Sequence, residues 1–174
     1  MHTLYLVSCV SEKATSPAAA KDLYQSDWFK KARTYVESTG SPWKILSALH
    51  HVVSPDTVIG PYDSALTYPG DPNNRCRRQT WSAITAGILA RSTFKGTRVV
   101  IFAGHAYREF LEPALCEAGF TVEAPLSRLG IGQQKRWFMD HTAPSTTSAG
   151  NCLIQLPLFG TLESEAPACR DSAS

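Results

Sequence analysis

The stretch Arg98-Val99-Val100-Ile101-Phe102-Ala103 decides the fold class, because it is apolar from its second residue to its last. A strand of this composition is buried on both faces, as in a parallel sheet that helices cover above and below. Three other short apolar runs are predicted as its neighbours in the sheet: Leu4–Ser8, Trp43–Ala48 and Thr121–Leu126.

The segments between and after these strands have the length and the apolar spacing of amphipathic helices. They cover Ala18–Ser38, Arg75–Ser92, Ala106–Ala118 and about Gly132–His141. Strand and helix alternate along the chain, which calls for right-handed crossovers between parallel strands. The sequence therefore predicts a three-layer α/β/α fold with a central four-stranded parallel sheet.

The composition indicates one globular domain. A chain of 174 residues is too short for two ordinary domains, and no apolar run reaches the roughly 20 residues that cross a bilayer. The five cysteines are scattered and lack the spacing of a zinc site, which favours reduced thiols in a cytoplasmic protein. The net charge of +2 does not by itself indicate nucleic acid. No metal or organic cofactor is expected.

We expect residues 1–141 to form the α/β domain and residues 142–174 to form a flexible tail. The stretch from Thr142 to Gly150 consists almost entirely of Ser, Thr, Ala, Pro and Gly, and the chain is again small and polar past Gly160. Such a composition is typical of mobile segments. The two stretches flank one apolar pentapeptide, residues 155–159.

The loops that follow the strands are the places to look for function, because ligands of an open parallel sheet bind outside the carboxyl ends of its strands. The first loop offers the hydroxyls of Ser8 and Ser11, the thiol of Cys9 and the ammonium group of Lys13. Such groups hold a base edge or a phosphate. A turn with a buried, inert cysteine is the alternative, and no adjacent histidine marks Cys9 as a nucleophile.

Two further loops supply an aromatic ring, a carboxylate and an imidazole. In the segment Gly60–Asp63, Tyr62 can stack on a planar ring and Asp63 can orient water or stabilise a developing cation. A proline-initiated turn capped by Asp63 is an equally good interpretation. His105 directly follows the most buried strand, where it can donate a hydrogen bond to a leaving group, although a lone histidine is more often structural.

The loop after the last predicted strand has the features of a phosphate site. Gly130, Ile131 and Gly132 open a helix, where free backbone N–H groups and the helix dipole attract anions. The basic and polar residues around this turn are Arg128, Gln133, Lys135 and Arg136. Leu129 and Ile131 are expected to be exposed apolar tips, which proteins use to pry bases from a duplex. A simple glycine-rich connection to an amphipathic helix is the alternative.

A second basic group, formed by Arg75, Arg77 and Arg78, begins the predicted helix Arg75–Ser92. Cations at a helix N-terminus oppose the helix dipole, so their placement favours an anionic partner over helix stability. A solvated helix face is the alternative.

Four short motifs give the sequence a family resemblance. They are Ser8-Cys9 followed by Lys13, Asp22-Leu23-Tyr24, Ile45-Leu46-Ser47-Ala48 and Pro61-Tyr62-Asp63. Together they resemble a family of small bacterial and phage domains associated with the uracil-DNA glycosylase-like superfamily, over roughly Leu4 to Trp137. The resemblance implies four parallel strands, a water-activating motif after the first strand and a base-contacting residue after the second.

The motif that the superfamily carries after its fourth strand is present only in part. The superfamily has His-Pro-Ser-Pro-Leu-Ser, and this chain has Pro125-Leu126-Ser127 with Glu123 or a neighbour in place of the histidine. The superfamily's Gly-Gln-Asp-Pro-Tyr element after the first strand is replaced by Ser8-Cys9-Val10-Ser11. These departures point away from uracil and toward a different, bulkier modified base.

The resemblance implies a DNA glycosylase that flips a modified pyrimidine out of double-stranded DNA and hydrolyses its N-glycosidic bond. Hydroxymethylated or glucosylated cytosine of phage DNA is the expected base, and anti-phage defence or DNA repair is the expected role. Asp63 would stabilise the sugar cation and orient water. His105 and the backbone around Ser8 and Cys9 would stabilise the departing base.

The remaining assignments under this resemblance concern binding. Tyr62 would stack on the base, and Ser47 would read its edge. The full set is base contacts from Cys9, Ser11, Ser47 and Tyr62, and DNA contacts from Lys13, Arg78, Arg128, Gly130, Ile131, Gly132, Gln133 and Lys135.

The pentapeptide of the tail supplies an independent indication. Gln155-Leu156-Pro157-Leu158-Phe159 resembles the peptide by which bacterial replication and repair proteins dock on the sliding clamp. Gln155, Leu156, Leu158 and Phe159 would make the contacts. A last strand or a hydrophobic patch packed on the core is the alternative.

Two other functions stay open at this point. One is an enzyme that handles deazaguanine bases, free or in tRNA, although the clamp-like tail speaks against tRNA. The other is a non-catalytic, clamp-recruited DNA-binding accessory protein, which would bind tightly without base release and would tolerate Asp63→Asn.

Overall fold

The fold is built around one five-stranded sheet, seen in a computed structural model that describes residues 2–142. The strands of this sheet are β1 (Thr3–Ser8), β3 (Trp43–Ser47), β4 (His51–Val53), β6 (Arg98–Phe102) and β7 (Thr121–Glu123), in the spatial order β4-β3-β1-β6-β7. Strands β3, β1, β6 and β7 are parallel, whereas β4 runs antiparallel to β3. The predicted α/β class with a mostly parallel sheet is therefore confirmed, and the expected four strands become five.

The fifth strand, β4, comes from a tight hairpin that the sequence pattern did not reveal. Ser47 pairs with His51 across a loop of residues 48–50, and His51 has a positive φ of 61°. A residue in the left-handed region is how a three-residue hairpin loop commonly turns back into its second strand. The resulting strand is only three residues long, too short to give a periodic signal.

Helices cover both faces of the sheet. Their bounds are α1 (Ala20–Leu23), α2 (Asp27–Ser38), α3 (Asn74–Ser92), α4 (His105–Arg108), α5 (Leu111–Glu117) and α6 (Ile131–His141). Two predicted helices are each divided, Ala18–Ser38 into α1 and α2 and Ala106–Ala118 into α4 and α5. The helix predicted over Ala18–Ser38 is divided because Tyr24 leaves it to form a bridge with Lys13. Ser26 then caps α2, since its hydroxyl oxygen accepts the N–H of Phe29 at 3.2 Å.

A small antiparallel ladder holds the segment before α1 in place. Strand β2 (Ala18–Ala19) pairs with β5 (Val58–Ile59), and the N–H of Ala20 donates to the carbonyl of Thr57 at 2.8 Å. This ladder fixes the chain just before the loop of residues 60–73. That loop therefore starts from a defined point.

The sheet separates two hydrophobic cores. On one face, Phe102 is fully buried among the aromatic rings of Tyr5, Tyr35, Trp137 and Phe138, which belong to β1, α2 and α6. On the other face, α3 and α5 cover a second core centred on Leu6, Leu89, Ile101 and Leu115. Close packing on both faces makes the sheet a rigid base for the loops at its edges.

Strand order places a crevice at the carboxyl end of β1. From β1 the chain continues to β3, which lies on one side of β1, and from β6 it continues to β7, which lies on the opposite side of β6. The two connections therefore diverge between β1 and β6. Such a switch in direction is where open α/β sheets bind ligands. Among residues 2–142, no helix is long and apolar enough to cross a membrane.

Candidate functional site

A cavity of about 280 Å³ opens at this switch point. It is lined by Cys9, Val10, Ser11, Lys13, Asp63, Ser64, Ala65, Leu66, Thr67, Ala106 and Tyr107. Cys9, Ser11, Lys13 and Asp63 are among the residues predicted from the sequence to contact a ligand, and the fold brings their two loops to one cavity. The cavity joins a thiol, a carboxylate, an ammonium group and a phenol.

Cys9 and Tyr107 form the wall nearest the sheet. The Cys9 N–H donates to the carbonyl of Leu46 at 2.8 Å, which fixes the residue at the end of the central strand. The Cys9 Sγ and the Tyr107 Oη lie 3.0 Å apart and share a hydrogen bond. Burial raises the pKa of Tyr107 above its ordinary value, so this phenol stays neutral and keeps a proton to donate.

A chain of buried hydroxyls lies behind the cavity. The Tyr62 Oη is 2.8 Å from the Ser47 Oγ and 2.9 Å from the Tyr24 Oη. The Ser47 Oγ also accepts the N–H groups of Leu49 and His50, at 3.2 and 2.9 Å. These two N–H bonds stabilise the β3–β4 hairpin, and they also determine the direction of the hydroxyl chain.

Counting protons gives that direction. A serine hydroxyl has one proton and two acceptor positions, and both acceptor positions of Ser47 are occupied by backbone N–H groups. Its O–H therefore donates to Tyr62. The bond between Tyr62 and Tyr24 uses one phenol proton, which leaves one phenol proton of this chain for another acceptor.

Tyr24 and Tyr62, the two tyrosines of the hydroxyl chain, hold their protons tightly. Burial raises the pKa of Tyr24 to about 12 and raises the pKa of Tyr62 further still, because a phenolate would lose its solvation there. The hydroxyl groups of Tyr62 and Tyr24 are therefore neutral donors and acceptors at neutral pH, as is that of Ser47. Ser47 is 0% exposed and bonded on every side, so its hydroxyl holds Tyr62 in place and does not reach a base edge as predicted.

Tyr62 also differs from its predicted role as a stacking platform. The Lys13 Nζ lies 4.4 Å from the centroid of its ring, and the ring of His50 meets it edge-on at 5.3 Å. One face of the ring is therefore already covered by a cation. The anchored hydroxyl of Tyr62 instead fixes the backbone from which Asp63, the next residue, extends.

Asp63 is exposed and lies at the cavity. The loop that carries it continues across the carboxyl end of the sheet to Leu66, which is 3% exposed and packs into the second core. The backbone of Asp63 thus lies between two anchored residues, Tyr62 and Leu66. Asp63 supplies the carboxylate that lines this cavity.

Two predicted catalytic residues are placed apart from the cavity lining. Ser8 is 6% exposed within β1, one residue before the chain reaches the cavity at Cys9. The side chain of His105 is 79% exposed, and its Nε2 lies 3.9 Å from Glu109. The next two residues of α4, Ala106 and Tyr107, face the cavity instead.

The start of α6 matches the predicted phosphate site in part. Ile131 is 64% exposed, as expected of an apolar tip, but Leu129 packs against the core. The side chain of Gln133 accepts the N–H of Gly130 at 3.0 Å, so one of the expected free donors is used within the protein. Gly132 and Arg128 are exposed.

Several predicted DNA-binding cations are paired with carboxylates. The Lys135 Nζ lies 2.9 Å from Asp27, and Arg78 lies 2.9 Å from Glu109. Arg77 of the same basic group pairs with Asp71 at 2.5 Å. Lys135 and Arg78 therefore hold elements of the protein together, which explains their positions without a phosphate.

Arg75 is the exposed member of the second basic group. Its guanidinium lies 5.4 Å from the ring centroid of Phe110. This places a cation near the carboxyl edge of the sheet, where α3 begins. Within residues 2–142, no three His, Cys, Asp or Glu side chains are grouped closely enough to hold a metal ion.

Sequence reasoning missed two residues of the site, Tyr24 and Tyr107. Tyr107 stands two residues after His105, in the segment that follows the most buried strand. The first turn of α4 determines which of these two side chains meets Cys9. Tyr24 appeared only within a family motif. Its role depends on the bridge to Lys13, which no local pattern signals. The predicted clamp-binding peptide, residues 155–159, lies outside the described residues.

Comparison with known proteins identifies a family but no activity. A model of a family of unknown function, DUF6884, matches residues 4–140. No curated protein matches the chain. A de novo designed Rossmann fold protein aligns over 83% of this chain and 100% of its own, with 9% identity and a TM-score of 0.37, a similarity too low to carry an argument. Nothing in these comparisons connects the chain with the uracil-DNA glycosylase-like superfamily, so that resemblance stays a prediction.

Proposed function

We propose that this chain, which belongs to the DUF6884 family of unknown function, is a DNA glycosylase that excises a modified pyrimidine and leaves an abasic site. One observation carries the proposal. The cavity at the switch point combines the Asp63 carboxylate with the Tyr107 phenol, whose hydroxyl lies 3.0 Å from the Cys9 Sγ. Hydrolysis of an N-glycosidic bond needs groups of these two kinds, because the sugar becomes positive as the base becomes negative.

Asp63 would serve the sugar side of the reaction. Water attacks C1′, the bond from C1′ to the base nitrogen breaks, and the departing base takes the bonding electron pair. A carboxylate beside C1′ stabilises the positive charge of the oxocarbenium-like transition state and orients the attacking water. The water proton passes to Asp63 and then to solvent, which the exposure of Asp63 allows.

Tyr107 would serve the base side. Its raised pKa keeps the phenol protonated, so it can donate a hydrogen bond to an oxygen or nitrogen on which negative charge develops. Its ring is held edge-on against Trp81 at 5.2 Å. In this proposal Tyr107 takes the part that the sequence assigned to His105, whose imidazole is exposed at the rim.

The size and lining of the cavity support a nucleobase as the bound group. A volume of about 280 Å³ lies at the lower end of ligand pockets, which suits one base better than a large cofactor. Val10, Leu66 and Ala106 give the cavity apolar surface against which a planar ring can lie. A base in duplex DNA reaches such a pocket only by flipping out of the helix.

Exposed cations at the same edge of the sheet suit a DNA backbone. Arg128 follows β7, and Arg75 lies in the first turn of α3. Contacts with phosphate position a protein on DNA without reading its sequence. Under this proposal the cavity determines base choice, and the exposed arginines add affinity for the DNA backbone.

The test is base release from DNA of defined modification. Purified protein is incubated with phage DNA that carries plain, hydroxymethylated or glucosylated cytosine, and released bases are identified by mass spectrometry while abasic sites are counted. We expect release of one modified base, with Asp63→Asn slower by a factor of about 10² or more, the usual contribution of such a group. Asp140→Asn is the matched control, because Asp140 lies on α6 outside this cavity.

Two results would contradict the proposal. Tight DNA binding without release of any base, unchanged in Asp63→Asn, would indicate a non-catalytic accessory protein. Activity on tRNA or on free deazaguanine bases, with none on DNA, would indicate the base-modification enzyme that the sequence left open.

A further inference from the structure

We infer that the loop of residues 10–13 is a phosphate-binding site, and that the substrate is a nucleotide within a strand and not a free base or nucleoside. The inference deepens the proposed function and rests on it for the identity of the bound base. Its own observations concern the backbone of this loop and the side chain of Lys13. They are independent of Asp63 and Tyr107.

The backbone of the loop carries a run of free donors. On either side of it the donors are used, since the N–H of Cys9 donates to Leu46 and the N–H of Ala14 donates to Leu23, both at 2.8 Å. The N–H groups between them, of residues 10–13, donate to no protein group in the described part of the chain. Backbone N–H groups without a protein acceptor are donors that an anion at this loop could use.

Lys13 is a partly buried lysine that has no carboxylate partner among residues 2–142. Lys21, Lys31 and Lys135 each contact a carboxylate. Lys13 is half-buried, and within residues 2–142 no carboxylate lies within 4.0 Å of its Nζ. Its protein acceptor is the carbonyl of Ser11, at the long distance of 3.4 Å.

The position of Lys13 is fixed by other groups. Its backbone is bridged to Tyr24, and the N–H of Gln25 donates to the carbonyl of Glu12 at 3.0 Å. The Nζ lies over the rings of Tyr62 and Tyr24, at 4.4 and 5.9 Å from their centroids. Cation–π contact stabilises the ammonium group there but uses none of its N–H donors. A cation held in place with free donors is suited to an anion.

The anion would lie directly beside the proposed base pocket, because Val10, Ser11 and Lys13 also line that cavity. A phosphate next to the flipped nucleotide meets this requirement. A free base carries no such group, and neither does a nucleoside. The arrangement therefore favours DNA over the small-molecule substrates that the sequence left open.

The first experiment uses the wild-type protein. Two-dimensional ¹H–¹⁵N NMR spectra are recorded while inorganic phosphate, deoxycytidine, deoxycytidine 5′-monophosphate or a single-stranded oligonucleotide is added. We expect the amide signals of residues 10–13 to shift with phosphate, with the monophosphate and most strongly with the oligonucleotide, and to stay in place with deoxycytidine. Unchanged amide signals with every phosphate-containing probe would overturn the inference.

The second experiment measures oligonucleotide affinity by fluorescence anisotropy over a range of salt concentrations. Lys13→Met should weaken binding about tenfold, as expected for loss of one charge-assisted contact, and should lower the salt slope by about 0.7 to 0.9. Lys13→Arg should keep most of the affinity. Lys30→Met, which removes an exposed lysine of α2, is the matched control and should change the affinity little.

The two proposals fail in different ways. Phosphate-dependent amide shifts without base release from any DNA would refute the glycosylase and leave the phosphate site standing. Base release with unmoved amides, and with Lys13→Met equal to wild type in affinity and salt slope, would refute the phosphate site and leave the glycosylase standing.

Discussion

Removal of one phenol oxygen, by Tyr62→Phe, is expected to destabilise the fold well beyond the loss of an ordinary hydrogen bond. The substitution deletes the bonds of 2.8 Å to Ser47 and 2.9 Å to Tyr24. Ser47 is 0% exposed and Tyr24 is 1% exposed, so water has little access to either. The Ser47 hydroxyl proton would lose its acceptor while its oxygen still receives two backbone N–H groups.

The magnitude follows from that accounting. A buried donor left without an acceptor costs about 1 to 3 kcal/mol, and a net hydrogen bond contributes about 1 kcal/mol. The Ser47 donor is counted as stranded, and the bond between Tyr62 and Tyr24 is counted as one net hydrogen bond. The expected loss in the free energy of unfolding is about 2 to 4 kcal/mol.

Urea unfolding followed by tryptophan fluorescence measures this loss. Tyr68→Phe is the matched control, because Tyr68 is 39% exposed and accepts one bond, from the N–H of Ala65, which water can replace. It should cost less than about 0.5 kcal/mol. A loss for Tyr62→Phe no greater than that of Tyr68→Phe would refute the directed hydroxyl chain.

Three further predictions concern titration, packing and access. Burial raises the pKa of Tyr24 to about 12, so above pH 10.0 the unfolded chain loses this proton before the folded protein does, and the free energy of unfolding should fall as pH rises between these values. Urea unfolding across that range should show a flatter decline in Tyr24→Phe than in wild type. An equal decline in the two proteins would contradict the raised pKa. Phe102→Ala should cost about 3 to 5 kcal/mol in the same assay, since its ring is fully buried, and a loss below about 1 kcal/mol would argue against that core. Iodoacetamide should label the exposed Cys76 and Cys116 before the half-buried Cys9, as peptide mass spectrometry can show; the reverse order would mean that Cys9 is far more accessible than its contact with Tyr107 allows.

The fold could be predicted to the extent that it depends on local pattern. The runs around Val7, Ile45 and Val100 are apolar because both faces of the sheet are covered, and each became a strand. The hairpin strand β4 and the break at Tyr24 could not be predicted. Both depend on pairing between segments that are separated in sequence, which no window of residues records.

The candidate site likewise has features that the sequence could predict and features that it could not. Cys9, Lys13 and Asp63 were candidates because each lies in a segment after a predicted strand, where ligands of a parallel sheet bind. That Asp63 meets the first loop could not be predicted, because the antiparallel strands β4 and β5 precede it. Whether a cation there is free or paired depends on distant partners. Arg78 finds Glu109 31 positions along the chain, and Lys135 finds Asp27 on a packed neighbouring helix.

The most direct test of the proposed activity uses a synthetic duplex with a single modified cytosine at a known position. Abasic sites are measured by strand cleavage with alkali after incubation with wild type, Asp63→Asn and Asp140→Asn. We predict cleavage at the modified position alone with wild type and Asp140→Asn, and little with Asp63→Asn. Cleavage that is equal in all three proteins would contradict the role of Asp63, and a duplex that is bound but intact for every modification would contradict the glycosylase itself.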